Sequence, residues 1–194
     1  MRALLPLMLF LPVAPLVADE RSEAIAAFAT VQEVLQHPRC QNCHIPGHAP
    51  LQGDAGVPHT MGVTRGPDGH GAAGLPCSTC HGEANPPASY GARLPPGAPH
   101  WGLPPPGQKM VFIDLSPAEL CETVKDEASN GGRDLDSLLR HVSNDELVLW
   151  GWDPGEGREP VPVPHERFVA AFERWAAAGA PCPDGRTAAA EVSR

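Results

Sequence analysis

Two short stretches decide how this chain is read: Cys40-Gln41-Asn42-Cys43-His44 and Cys77-Ser78-Thr79-Cys80-His81. Each is a C-x-x-C-H run, in which two thiols add to the two vinyl groups of a porphyrin and the next residue turns its imidazole onto the iron. The spacing carries the chemistry. Two intervening residues put both sulfurs on one turn, and the His directly after them lies under the metal. Other uses of C-x-x-C fit less well. A redox dithiol belongs at the start of a helix in a βαβ unit, and no strand pattern surrounds either run. A zinc ribbon separates its pairs by about 15 to 20 residues, whereas 33 lie between Cys43 and Cys77. Zinc also gives no reason for a His after both pairs. The expectation is therefore two covalently bound haem c groups, with Cys40, Cys43, Cys77 and Cys80 holding the porphyrins and His44 and His81 as proximal ligands.

Around these runs the 194-residue chain is loop-forming, with 24 Pro and 20 Gly against 5 Phe, 4 Trp and 1 Tyr. So much Pro and Gly leaves few regular elements. A large self-sufficient apolar core is not expected, and the haems are expected to fill the middle. With 14 Lys+Arg against 23 Asp+Glu the net charge is -9. Scattered basic residues exclude a nucleic-acid partner, and an acidic surface favours a protein partner with a basic patch.

Met1-Arg2 followed by the apolar run Ala3–Val17, broken by Pro6, Pro12 and Pro15 and ending at Ala18, reads as a secretory signal peptide over residues 1–18. Three prolines make a poor spanning helix. Leu16 is large for the -3 position of the cleavage site, so a retained anchor is the alternative. Residues 19–194 then form a single exported domain with no integral membrane span, located in the periplasm. In that oxidising compartment the two remaining cysteines, Cys121 and Cys182, are expected to pair, with free thiols as the alternative.

The fold class expected is mostly α with long Pro/Gly-rich loops. Ile25, Phe28, Val31, Val34 and Leu35 give Asp19–Gln36 a helical period that Pro38 stops. Residues 45–75 and 82–107 carry no period and read as haem-wrapping loops. The helical C-terminal part spans 116–183. There Ser116-Pro117-Ala118-Glu119 is a capping box that starts a helix running to Ala128. A second helix begins near Asp134, Asn144 caps a short turn, and Pro164–Ala178 ends at Gly179.

A six-coordinate haem needs a second axial ligand. His141, beside an apolar helix face, and His59, in the loop between the motifs, are the favoured distal candidates. Met110, after Pro104-Pro105-Pro106-Gly107, and His100, before Trp101, are held in reserve. Met61 reads as a core filler, and His37, His48, His70 and His165 as structural or exposed.

The run from His37 to His44, with Pro50–Asp54, Arg65–Gly69, Cys77–His81, Pro96–Trp101, Glu119–Cys121, Asn130–Arg133, Leu147–Gly155 and Gly179–Pro183, resembles small exported dihaem c-type cytochromes. Members are often labelled cytochrome subunits of isoquinoline 1-oxidoreductase, a molybdenum hydroxylase. The resemblance covers nearly the whole chain after the leader. It implies His at positions 59 and 141 as distal ligands, a Met at 110, and often Asn where His100 stands. It also implies an electron carrier rather than an enzyme, passing single electrons between a molybdopterin hydroxylase and a respiratory acceptor. The rival reading is a dihaem peroxidase-like enzyme with one open coordination position, for which a chain of this length leaves little room.

Overall fold

Ala24, Ala27, Phe28, Val31, Val34 and Leu35 recur at three and four residues, the period of a single helix face, and all are buried along helix α1 (Ala14–Leu35). The computed structural model describes residues 14–185. Most of the expected leader, residues 1–13, lies outside the described residues. α1 is continuous past Ala18. The helix stops where His37 turns extended (φ -71, ψ 146) ahead of Pro38. Pro38 then occupies the first position of a short second helix, α2 (Pro38–Gln41), capped by the His37 side chain, which accepts from the Arg39 amide.

The stretch between α2 and residue 116 is irregular, as its composition demands, and contains two minimal antiparallel ladders. β1 (Leu51–Gln52) pairs with β2 (Val57–Pro58), and β3 (Gly71–Ala72) with β4 (Leu75–Pro76). These small hairpins were not expected from the sequence, because two-residue strands carry no readable period.

The capping box forms as written: Ser116 Oγ accepts from the Glu119 amide, and Glu119 accepts from the Ser116 amide at 2.9 Å. It starts α3 (Pro117–Lys125), which buries Leu120, Cys121 and Val124. This helix ends three residues before the expected Ala128. Asp126 leaves the helical region (ψ 100) and uses its carboxylate to cap α4 (Glu127–Asn130). The buried Asn130 closes the following turn, donating to Val124 and Arg133 carbonyls and accepting from the Arg133 amide. Asp134 caps α5 (Leu135–Asn144). Asp145, and not Asn144, caps α6 (Glu146–Leu149), because its carboxylate reaches the Leu147 and Val148 amides. Asn144 is spent on the Arg140 carbonyl. α7 (His165–Ala177) follows, and Gly179 takes the left-handed conformation (φ +80) beyond its end.

α7 packs against α1 and α5, and α1 also meets α3. Phe168, Phe172 and Trp175 of α7 are buried in a ring series that reaches Phe28 of α1, whose centroid lies 4.9 Å from that of Trp175. Together with Val31, Val34, Leu120, Val124, Leu138 and Val142 they make one continuous apolar core. The expectation that the chain could not supply its own core is thus corrected. The mostly α class holds, and the scarce large apolar residues are gathered into these helices while the Pro/Gly-rich stretches contribute little. The expected bridge between Cys121 and Cys182 is formed, tying α3 to the segment after α7. Among the described residues no helix is long and apolar enough to cross a membrane.

Candidate functional site

The first motif runs off the end of α2 and the second opens a 3-10 turn (Cys77–Thr79), yet both close the same way. The Cys40 carbonyl accepts from the amides of Cys43 (3.2 Å) and His44 (3.3 Å), and that of Cys77 from those of Cys80 (3.2 Å) and His81 (3.0 Å). All four cysteines are free thiols. Burial pushes Cys40 up to about 12 and Cys43 up to about 11, so both stay protonated. Among the described residues no three His, Cys, Asp or Glu side chains gather as metal ligands. A porphyrin, which brings its own four nitrogens, asks the protein for axial ligands only.

The two motif imidazoles are held alike. His44 Nδ1 donates to the Met110 carbonyl at 2.9 Å, and its ring stacks on Phe112 with centroids 4.0 Å apart and planes 14° apart. His81 Nδ1 donates to the Pro96 carbonyl at 2.7 Å and stacks on Trp101 at 4.4 Å and 8°. A carbonyl only accepts, so the proton of each neutral ring is on Nδ1 and Nε2 presents its lone pair, the state an imidazole needs to bind a metal. Burial, the largest cause, pushes His44 down to about 4, against the bond to Met110, with His141 and Arg65 adding smaller contributions. Burial likewise lowers His81, with the nearby His59 adding to it. Both clamps belong to one strap, residues 96–112. At its far end Met110 takes a positive φ of 47°, a strained conformation for a side-chain-bearing residue, in the residue whose carbonyl meets His44.

The favoured distal candidates each come near a different motif. His59 stands just after β2, with Nδ1 donating to the Thr60 carbonyl at 2.8 Å and its ring centroid 6.2 Å from that of His81. His59 and His81 are near enough that they would hold one metal between them, were one bound. His141, on α5, lies with Nδ1 3.3 Å from Asp145 Oδ2 one turn later, and is close enough to His44 to oppose its protonation. The His141 hydrogen bond is also the main cause that holds the Asp145 carboxyl below its ordinary range. The structure thus brings the His59 ring towards that of His81, a pairing that could not be read from the sequence.

The reserve residues sit elsewhere. The Met110 carbonyl is bonded to Nδ1 of His44, behind the ring, and its side chain packs against the helical core. His100 is exposed with a positive φ of 60°. Met61, expected as a core filler, is instead 81% exposed, in the short turn Thr60–Gly62, where its φ is +67°. His165 Nε2 donates to the Val142 carbonyl at 2.9 Å, so that nitrogen carries the proton and has no lone pair free for a metal.

Sequence reasoning missed Phe112, Asp145 and two buried arginines. Arg39 pairs with Asp54 at 2.5 Å and lies 5.7 Å over the Trp150 ring. Trp150 in turn meets Trp101 edge-on at 4.9 Å. Arg65 is fully buried, donating to the carbonyls of Ile45 (3.2 Å), Gly47 (3.3 Å) and Pro104, while its Nε has no partner. The available signal was position: both arginines stand in runs that carry the family resemblance. Comparison of the chain with protein-family models, curated proteins and solved structures found no match.

Proposed function

We propose that this chain is a periplasmic dihaem c-type cytochrome, an electron carrier that passes single electrons between a redox enzyme and a respiratory acceptor. The observation that carries the reading is the shared state of His44, His81, His59 and His141, each of which holds Nδ1 against an oxygen and so leaves Nε2 for a metal. The fit extends to the thiols: each free Cys pair lies on the same closed turn as its His. When bound, each haem supplies a one-electron Fe(III)/Fe(II) couple. Cys40 and Cys43 would hold one porphyrin and Cys77 and Cys80 the other, with His44 and His81 as axial ligands. Phe112 and Trp101 limit rotation of those rings, and the Met110 and Pro96 carbonyls fix the proton on Nδ1.

The placement of His59 beside His81 favours a carrier over a peroxidase-like enzyme, which needs one open position. The net charge of -9 suits a partner with a basic face, and the family resemblance names a molybdopterin hydroxylase as that partner. The test is production with the c-type maturation machinery, haem quantification after denaturation, and low-temperature EPR of the oxidised protein. Two covalently retained haems per chain, both low-spin, are expected. Absence of covalent haem overturns the reading, and a high-spin site that binds cyanide readily transfers it to the peroxidase-like alternative.

A further inference from the structure

Arg65 is the one fully buried cation in the loop region with no acidic partner among the described residues. Its guanidinium is committed to the backbone carbonyls of Ile45, Gly47 and Pro104. Ile45 directly follows His44, so the charge is fixed beside the first motif. The Arg65 amide donates to the His48 carbonyl at 2.7 Å and its own carbonyl accepts from Gly71 at 3.0 Å, which fixes the backbone from which the side chain projects. Stapling loops does not require a charge. A neutral amide would satisfy carbonyls, and burying an unpaired cation is costly.

We propose that Arg65 sets the potentials of the two sites apart, raising that of the haem held at Cys40–His44 above that of the haem held at Cys77–His81. This rests on the dihaem reading above. The physical reason is electrostatic. A ferric haem carries one more positive charge than a ferrous one, so a fixed cation nearby disfavours the ferric form and draws an electron from an external one-electron donor towards Fe(II).

The experiment is an EPR-monitored redox titration of the holoprotein in three variants. Arg65→Gln removes the charge and keeps amide donors for the carbonyls. Arg65→Lys keeps the charge. Gly47→Asp leaves Arg65 in place and sets a carboxylate on the residue whose carbonyl already meets it; a Cβ there has open space around it. The higher midpoint is expected to fall towards the lower one in Arg65→Gln, to stay near wild type in Arg65→Lys, and to fall by a smaller amount in Gly47→Asp. Unchanged separation of the two midpoints in Arg65→Gln with both haems low-spin overturns the proposal, as does a fall of the lower midpoint alone. If Arg65→Gln does not assemble, Gly47→Asp decides: an unmoved higher midpoint overturns it. A wild-type chain without covalent haem marks failure of the dihaem reading instead.

Discussion

Replacing Cys121 and Cys182 together by Ala removes the bridge between α3 and the segment after α7, and its cost follows from the chain that it encloses. The two residues are 61 apart, and closing a loop of that length removes about 4 kcal/mol of unfolded-chain entropy at 25 °C. Cys121 is fully buried in the core, so losing its sulfur adds about 1 kcal/mol for the space left behind. For a chain of this size each kcal/mol lowers the melting midpoint by about 2 to 4 °C, so the double variant should melt about 10 to 20 °C lower. All four motif cysteines precede Cys121, so covalent haem does not close this loop and the cost applies to the holoprotein. Far-UV circular dichroism of haem-loaded wild type and variant is the assay. A drop of less than about 3 °C would refute the reasoning, because the 121–182 loop would then be constrained in the unfolded chain by something other than the bridge.

The core of α1, α3, α5 and α7 leads to a second expectation: a variant with all four motif cysteines changed to Ser should still unfold cooperatively, with near-UV signal from Trp175. A broad, non-cooperative melt would show that the haems are indispensable to that core. In the same haem-free variant stability should fall with acid. His44 is depressed from 6.5 to about 4 by burial, so the unfolded chain binds the extra proton first, and stability present above pH 6.5 is lost as pH falls towards 4. Adding His44→Gln should flatten that slope in urea titrations, and an unchanged slope would mean that other groups cause it. In the holoprotein, His59→Ala and His141→Ala should each turn one haem high-spin and leave the other low-spin. A spectrum unaltered by either change would remove that residue from the ligand set.

The features legible in the sequence were those set by residue type at fixed spacing. The capping box at Ser116 and the aromatic face of α7 each depend on side chains within one or two turns, and both formed as read. The core was misjudged because composition was averaged over the whole chain. Ala24, Ala27, Val31 and Val34 are modest residues singly, and only their alignment against Phe168, Phe172 and Trp175 makes them a core. The clamps on His44 and His81 were illegible for another reason. They use the carbonyls of Met110 and Pro96, which every residue possesses, so what matters is backbone direction, and at Met110 that direction is a positive φ no propensity favours for Met. Arg65 was missed because a lone Arg in a polar loop looks exposed until the loops close around it.

The pairing of α1 with α7 also governs timing. A chain emerging from its N-terminus presents α1 first, then both Cys pairs, and α7 last. The apolar stripe of α1 meets α3 part-way along, but its main partner, α7, comes only when nearly the whole chain has appeared, so the first helix completes its packing last. The stretch carrying Cys40, Cys43, Cys77 and Cys80 lies between these two helices in sequence, so a fold closed by its two ends completes its core only after that stretch has appeared.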